Sequence, residues 1–335
     1  MDRSRRQTLL AIVGLVGGIA TGACARQAPP PIAPKPKPNE PLRLDPLEAL
    51  APAAGLEWVV IAEPQPILQA PALKPALLKL FPDFRLDAFL RASAIDVRKL
   101  KRVVVASYSG STLFVLSGVE DVVEAERRFR ARLMTDVVRT TQRDDAALVT
   151  GKLGNGQKRA MAVMQPDIVA IESGDSRHAK AAYLHALGKL KRSVGALEAP
   201  GLPMLAKRLG QAPILGFAAG PFEGEWKRGL HGILSAATGA GGAVRLTPIG
   251  TLQGSFVVAG EWGPQAEAAS QRLLRSWDDL AASGFGKLTG LDAPVRPALP
   301  THAEDAAAIT VEVNAEKFLE GLRAAVSAQI SEIMQ

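Results

Sequence analysis

The chain contains a single cysteine, Cys24, which lies near the N-terminus at the end of an apolar segment. A lone thiol excludes an intrachain disulfide, a cysteine-rich zinc site and a CxxC redox motif, because each needs at least two thiols. Of 335 residues, 47% are hydrophobic and 22% charged, which is typical of a globular protein of about two domains.

Residues 1–23 have the pattern of an export signal. A basic start is followed by an apolar stretch over residues 9–23, shorter than the roughly 20 residues that span a membrane. The basic residues are Arg3, Arg5 and Arg6. The adjacent arginines, Arg5 and Arg6, give the run a resemblance to the twin-arginine export signal, from which Thr8 and Leu10 depart. The resemblance implies twin-arginine export, and the general secretory route is the alternative.

The residues that end this segment suggest how the mature chain is attached. Thr21-Gly22-Ala23-Cys24 resembles a bacterial lipobox, with Thr21 in place of the usual leucine. The resemblance implies cleavage before Cys24 and a diacylglycerol on its sulfur, so that the mature protein is a lipid-anchored envelope protein. The alternative is ordinary cleavage after Ala25 at an A-x-A site, which would release a soluble periplasmic chain.

Residues 24–54 are predicted to be a disordered tether. Seven prolines lie between residues 27 and 41, interleaved with Lys35 and Lys37. The proline-rich part, residues 27–41, cannot pack a core and favours extended polyproline II, so that part would reach roughly 50 Å at about 3.1 Å per residue. The folded part would then stand clear of the bilayer.

Two short basic runs are weak candidates for an anionic surface. Their cations are Lys99, Lys101 and Arg102 in the first run, and Lys189, Lys191 and Arg192 in the second. They could hold phosphates of lipid head groups or other envelope polyanions, but solvated ends of secondary structure are the favoured interpretation. Neither run is interleaved with aromatic residues, so no nucleic acid is expected as a partner.

The remaining sequence predicts strands that alternate with amphipathic helices. Apolar runs flank Ser109-Gly110 and Asn155-Gly156, and each pair of runs predicts a β-hairpin. Helical spacing is predicted around residues 86–90, 122–133, 179–187, 226–234, 273–277 and 318–333. The proline-containing segment 282–305 is expected to be a long loop, acting as a flap, a binding loop or a plain insertion.

The two halves resemble each other in sequence. Residues 114–118 and 256–260 are both apolar runs that end in glycine and lead into a Glu-Ala helix start. This predicts an internal duplication of an α+β unit: two tandem split-βαβ (ferredoxin-like) α/β sandwich modules after the tether, at residues 55–194 and 195–335. No iron–sulfur cluster is implied, because these residues hold no cysteine.

Histidines and tryptophans are predicted to be structural. His178 and His185 could share a helix face, but no nearby acidic residue completes a metal-ligand pattern. Trp58, Trp262 and Trp277 are expected to pack in the core. No metal and no cofactor is expected.

No local motif for catalysis is found. The Gly151–Lys158 stretch lacks the lysine and hydroxyl spacing of a phosphate loop, and no GxSxG motif occurs. The sequence therefore favours a membrane-tethered, non-enzymatic binding or scaffolding module, with an envelope protein or an anionic lipid as partner. An exported, hydrolase-like periplasmic enzyme with a dispersed site is the alternative. An exposed apolar groove without ionisable groups would favour binding, whereas a cleft with perturbed pKa values would favour catalysis.

Overall fold

A computed structural model describes residues 40–71, 73–190 and 194–333. The predicted signal peptide, Cys24, most of the tether, and Lys191 and Arg192 lie outside these residues. From Leu42 onward the chain forms one compact unit. No helix within the described ranges is long and apolar enough to cross a bilayer.

The described strands form one twelve-stranded sheet in which every paired neighbour is antiparallel. The strands are β1 Leu56–Ala62, β2 Arg102–Tyr108, β3 Ser111–Ser117, β4 Thr135–Arg143, β5 Ala146–Lys152, β6 Lys158–Met164, β7 Ile168–Ser173, β8 Ile214–Ala219, β9 Ala237–Leu246, β10 Thr251–Gly260, β11 Arg296–Ala303 and β12 Ala306–Asn314. Their spatial order is β11-β12-β10-β9-β8-β1-β2-β3-β7-β6-β5-β4. Strands β1 and β8 therefore join the two halves of the chain at the middle of the sheet.

Helices lie on both faces of this sheet. They are α1 Pro64–Gln69, α2 Lys74–Leu80, α3 Asp83–Ser93, α4 Val122–Arg130, α5 Arg177–Ala186, α6 Leu202–Leu209, α7 Ala266–Ala282, α8 Gly284–Thr289 and α9 Ala315–Ile333. Short 3-10 turns occur at Leu47–Leu50, Val97–Lys99, Ala196–Glu198, Gly224–Arg228, Leu230–Ala236 and Gly263–Gln265.

One face of the sheet, here the covered face, carries the main core. Alternate residues of β1, such as Val59 and Ile61, point to it and belong to the same buried cluster as residues of α5 and α6. The small residues Ala179 and Ala182 let α5 approach the strands closely. Leu202 and Leu205 of α6 pack in the same core. This face is apolar along both halves of the chain.

The opposite face, here the grooved face, is covered only at its two ends. Helix α4 packs Val122 and Ala125 on β6 and β7 at one end. Helix α7 packs Leu273 and Trp277 on β10 and β12 at the other end. The middle strands lie between these two helix layers.

Several sequence predictions about the fold are confirmed and others are wrong. The hairpins at Ser109-Gly110 and Asn155-Gly156 form, and Gly156 has the positive φ that the turn needs. The segment 282–305 is not a loop, because it contains α8 and the edge strand β11, where Pro297 can sit without breaking a ladder. The helix predicted around residues 226–234 is instead a pair of 3-10 turns.

The expected pair of split-βαβ modules is not confirmed. That unit contains a parallel strand pair, whereas the pairings of the described strands are all antiparallel. After α4 the chain runs to the sheet edge as β4 and returns strand by strand until β7 pairs with β3. The coarser expectation of a mixed fold with helices on an antiparallel sheet is confirmed.

Candidate binding groove

Cross-strand register places an unbroken series of apolar residues and glycines on the grooved face. Each residue of this series, here the apolar row, is directly paired with the next. The row is Ile171, Phe114, Val105, Val60, Gly216, Gly242, Phe256 and Ile309. With neighbouring strands about 4.8 Å apart, it extends roughly 34 Å across the sheet.

The neighbouring residues on the same face widen this surface on one side. Two residues further along each strand lies a second paired series: Leu116, Val103, Ala62, Ile214 and Val244. On the other side, Trp58 pairs with Ala218 in one direction and with Ser107 in the other. Hydroxyl groups thus begin at Ser107, and Trp58 marks the border of the apolar area.

The middle of the row is open to solvent. Trp58 is 37% exposed, Phe114 37% and Phe256 40%, although all three lie on the apolar face of a sheet. Phe256 leans on Trp277 of α7, with ring centroids 6.3 Å apart, and so forms one wall. Trp58, Val60, Gly216, Gly242 and Phe256 enclose what we call the central groove, with a volume of about 420 Å³.

Glycines form the floor of the central groove. A Cβ added at Gly216 would meet nothing closer than Val60 Cγ2 at 3.9 Å, so the space above it is empty. A Cβ at Gly242 would lie 3.2 Å from Phe256 Cδ1. A glycine inside a strand often marks a place where a ligand approaches the backbone closely.

The central groove continues beneath α7. A smaller cavity of about 140 Å³ shares Ala240 and Phe256 with it and is closed by Leu230, Leu273 and Trp277. No titratable side chain lines either space among the described residues. The two spaces therefore offer apolar contacts to an apolar molecule, but their lining offers no group for acid–base chemistry.

The arrangement that most nearly resembles a catalytic site is at the start of α5. Ser111 Oγ lies 3.1 Å from His178 Nδ1, and Glu172 Oε1 lies 2.7 Å from the same nitrogen. A nucleophile and an orienting carboxylate must bind opposite ring nitrogens for a proton relay, so this is not one. Glu172 Oε2 instead accepts the backbone N–H groups of His178 and Ala179, each at 2.9 Å.

Aromatic stacking and burial complete this cluster. The Tyr108 ring stacks on His178 with centroids 3.7 Å apart, and its hydroxyl donates to Pro52 O. Burial, and secondarily Glu172, raises the pKa of Tyr108, so its phenol stays protonated. The cluster is a structural cap for α5 and an anchor for the chain that precedes β1.

The other histidines do not form a metal centre. Burial and the nearby Arg43 lower the pKa of His185. His231 Nε2 is 2.8 Å from Asp279 Oδ2 at an exposed position, and His302 is exposed on β11. The part of the chain that the structure describes contains no cluster of three or more His, Cys, Asp or Glu side chains that could hold a metal ion.

The basic residues predicted to meet an anionic surface already have local partners. Lys99 Nζ lies 2.8 Å from Glu120 Oε1, Lys101 Nζ 2.8 Å from Asp167 Oδ2, and Arg102 Nη2 3.3 Å from Glu48 Oε2. The hydrogen-bonded carboxylates raise the pKa of Lys99 and that of Lys101. Lys189, which follows α5, donates to Gln142 Oε1.

The tryptophans give one correction. Trp262 and Trp277 are buried as predicted, but Trp58 is a groove wall rather than a core residue. The residues of β1 that point into the main core are Val59 and Ile61, which lie on the opposite face of the strand from Trp58. The sequence feature that marks the groove is one glycine on the apolar face of each of the strands β8 and β9. These two glycines can be recognised as neighbours only when the strand pairing is known.

No protein-family model and no curated protein matches this chain. Among solved structures the chain is similar to crystal form III of TP0453, with 12% identity over 84% of this chain and 98% of that chain, at a TM-score of 0.47. Crystal form IV of the same protein gives 12% identity over 84% of this chain and 96% of that one, at a TM-score of 0.44.

Proposed function

We propose that this chain is a membrane-tethered binding module of the bacterial envelope that holds the aliphatic chain of a lipid in the central groove. The observation that carries the proposal is the open apolar row, with a glycine floor and aromatic walls on the middle strands. Monomeric proteins rarely expose contiguous apolar surface of this kind unless it binds something.

An aliphatic chain fits this groove better than a bulky ligand. With a volume of about 420 Å³, the central groove has room for a run of several methylenes. Each methylene removed from water contributes about 0.8 kcal/mol, which is ample for binding even at partial burial. A flexible chain can also follow a track across several strands.

The sequence supports a lipid as the source of that chain. If Cys24 carries the anchor, the segment from Cys24 to Glu40 keeps the fold within roughly 50 Å of a bilayer. Membrane lipids are then the most concentrated aliphatic molecules within reach. Binding rather than catalysis is proposed because the groove lining has no titratable side chain.

A titration with a fluorescent long-chain alcohol tests the groove without any contribution from charge. The full chain carrying Cys24→Ser is used, because it needs no detergent. Trp58→Ala removes a wall and Gly216→Phe fills the floor, so each should weaken binding about tenfold or more. Thr140→Val, on the exposed edge strand β4, is the control and should bind normally. Unchanged affinity in both groove variants would overturn the proposal.

The tether is tested separately in the bacterial host. Intact mass of the membrane-bound protein should show a chain that begins at Cys24 and carries added acyl mass. Cys24→Ser should move the protein to the soluble fraction. A soluble wild-type chain that begins at Arg26 would leave the groove in place but remove the membrane anchor.

We also propose that the sheet arose by duplication of a unit different from the split βαβ. The order of elements supports this: β1-β2-β3-α4 and β8-β9-β10-α7 are each followed by strands that return to pair with the third strand. The first half returns through four strands and the second through two. Pairing of β1 with β8 would then be the seam between the copies.

A further inference from the structure

A second cavity lies where the apolar row reaches α4. It has a volume of about 330 Å³ and lies between α3, α4 and the strands β6 and β7. Its apolar lining includes Phe89, Phe129, Met161 and Ile171, and two guanidinium groups, those of Arg132 and Arg159, complete it. We call it the arginine pocket.

The two arginines of this pocket have spare donors and no ion-pair partner among the described residues, although Arg159 also borders a neighbouring cavity that Asp136 lines. Arg132 donates to Ala92 O, and Arg159 Nη2 donates to Gln157 Oε1 at 3.0 Å. Neither forms an ion pair within the described part of the chain, and no carboxylate lines the pocket. Each guanidinium has five N–H donors, so most of them remain available.

The contrast with the rest of the surface is informative. Arg127 and Arg128 on the same helix are both paired with Glu124, and Arg139 is paired with Glu126. Three arginines around α4 are thus paired with glutamates, whereas Arg130, Arg132 and Arg159 have no ion pair among the described residues. Of these three, Arg132 and Arg159 line the apolar cavity and Arg130 does not. Guanidinium groups bind carboxylates and phosphates with two parallel hydrogen bonds, and do so more strongly where water is excluded.

We infer that the arginine pocket binds the anionic head group of an amphiphile whose aliphatic chain runs along the apolar row. Ile171 belongs both to the pocket lining and to the row, and it pairs with Phe114, the next residue of the row, which is 37% exposed. From Ile171 to Gly216 the row crosses four strand spacings, roughly 19 Å. The ligand class is a long-chain carboxylate or phosphate monoester.

This inference rests on the proposed function. It adds that the protein binds an anionic amphiphile more tightly than an uncharged one, which an apolar groove alone would not do. It is tested with palmitate and the uncharged alcohol of the same chain length, on the same full chain with Cys24→Ser. Wild type should bind palmitate about tenfold or more tightly than the alcohol, because two charge-assisted contacts are gained. The preference should shrink as salt is raised.

The double variant Arg132→Gln, Arg159→Gln should lose this preference while its affinity for the alcohol stays within about twofold of wild type. Arg130→Gln, an exposed arginine of α4 that does not line the pocket, is the matched control and should keep the preference. Inorganic phosphate should compete poorly, because it has no aliphatic chain.

The possible failures are distinguishable. Equal binding of acid and alcohol by wild type, or an intact preference in the double variant, would overturn the arginine pocket and leave the groove standing. Absence of binding by both ligands would overturn the groove as well. Strong competition by inorganic phosphate alone would overturn the amphiphile in favour of a simple anion site.

Discussion

At the scale of single residues, the carboxylate of Glu172 depends strongly on its hydrogen bonds, because burying a charged group without partners is costly. Its side chain is fully buried, yet it accepts two backbone N–H groups and contacts one imidazole nitrogen. Those N–H groups belong to the first turn of α5, which has no intrahelical acceptors for them. The carboxylate also lies at the positive end of the helix, where a negative charge is favoured.

Glu172→Ala should lower the free energy of unfolding by about 2–3 kcal/mol, because it leaves two buried N–H donors without acceptors. Glu172→Gln keeps one carbonyl oxygen and should cost less. Urea unfolding followed by circular dichroism measures both variants. Equal stability of wild type and Glu172→Ala would show that water replaces the carboxylate at no cost.

His185 gives the fold a dependence on pH. Burial first, and then Arg43, lowers its pKa below the usual 6.5, so the folded state disfavours the protonated imidazole. Below pH 6.5 the unfolded chain takes up this proton more readily than the folded chain. The stabilising contribution is therefore complete above that pH and is lost as the pH falls through the lower, folded-state pKa.

His185→Gln should flatten the fall in stability between about pH 7.5 and about pH 5.5, because glutamine does not titrate there. Thermal melts of both proteins across this range are the measurement. A variant whose melting temperature falls as steeply as that of wild type would place the responsible proton elsewhere.

The sequence predicts single residues correctly where an apolar residue is also buried in the fold. It fails where the exposure of a residue depends on elements that are distant in sequence. The apolar run at residues 57–62 correctly predicts a strand, and Trp277 is correctly predicted to be buried. Trp58 and Val59 are neighbours in that strand and point to opposite faces. Helices α4 and α7, which are distant from Trp58 in sequence, determine which part of the grooved face is covered. The exposure of Trp58 could therefore not be predicted from the residues around it.

At the scale of elements, α3 is held at its end rather than by a buried face. None of its residues is buried, and its last carbonyls accept from Arg128 and Arg132. The residue after it, Ala94, closes the helix with φ of 61° and ψ of 18°, a left-handed conformation that glycine adopts without strain.

Ala94→Gly should therefore raise the free energy of unfolding by about 0.5–1 kcal/mol. The same change inside the helix, Ala88→Gly, is the control and should lower it by about 0.5–1 kcal/mol, because glycine weakens a helix interior. Chemical unfolding of the two variants in parallel measures the difference. Two changes of the same sign would mean that the left-handed turn does not persist in solution.

Elements with strong local signals were predicted and edge strands were missed. Asn155-Gly156 fixes its hairpin because few other turns suit that dipeptide. Strand β4 carries Thr, Arg and Gln and is exposed along nearly its whole length, so it has no alternating pattern to detect. Strand β11 contains Pro297 and Pro300, which are typical of loops and are tolerated only because β11 is an edge.

At the scale of the whole molecule, the central groove is a consequence of joining two half-sheets. Each half brings one helix to the grooved face, α4 for the first and α7 for the second, and each helix lies over the outer strands of its half. The seam strands β1 and β8 are covered on the other face only. An open apolar surface thus arises between two packed layers, and no local motif in the sequence indicates it.

The seam also determines how the molecule should unfold. Because β1 and β8 pair along five residues and share one core, we expect one cooperative transition rather than two. In a Trp58→Phe background the remaining tryptophans, Trp226, Trp262 and Trp277, all report on the second half. Adding Glu172→Ala, which weakens the first half, should shift their fluorescence midpoint in urea as far as the midpoint seen by circular dichroism. A fluorescence midpoint that stays in place would mean two independently folding modules, and the groove would then lie between units free to separate.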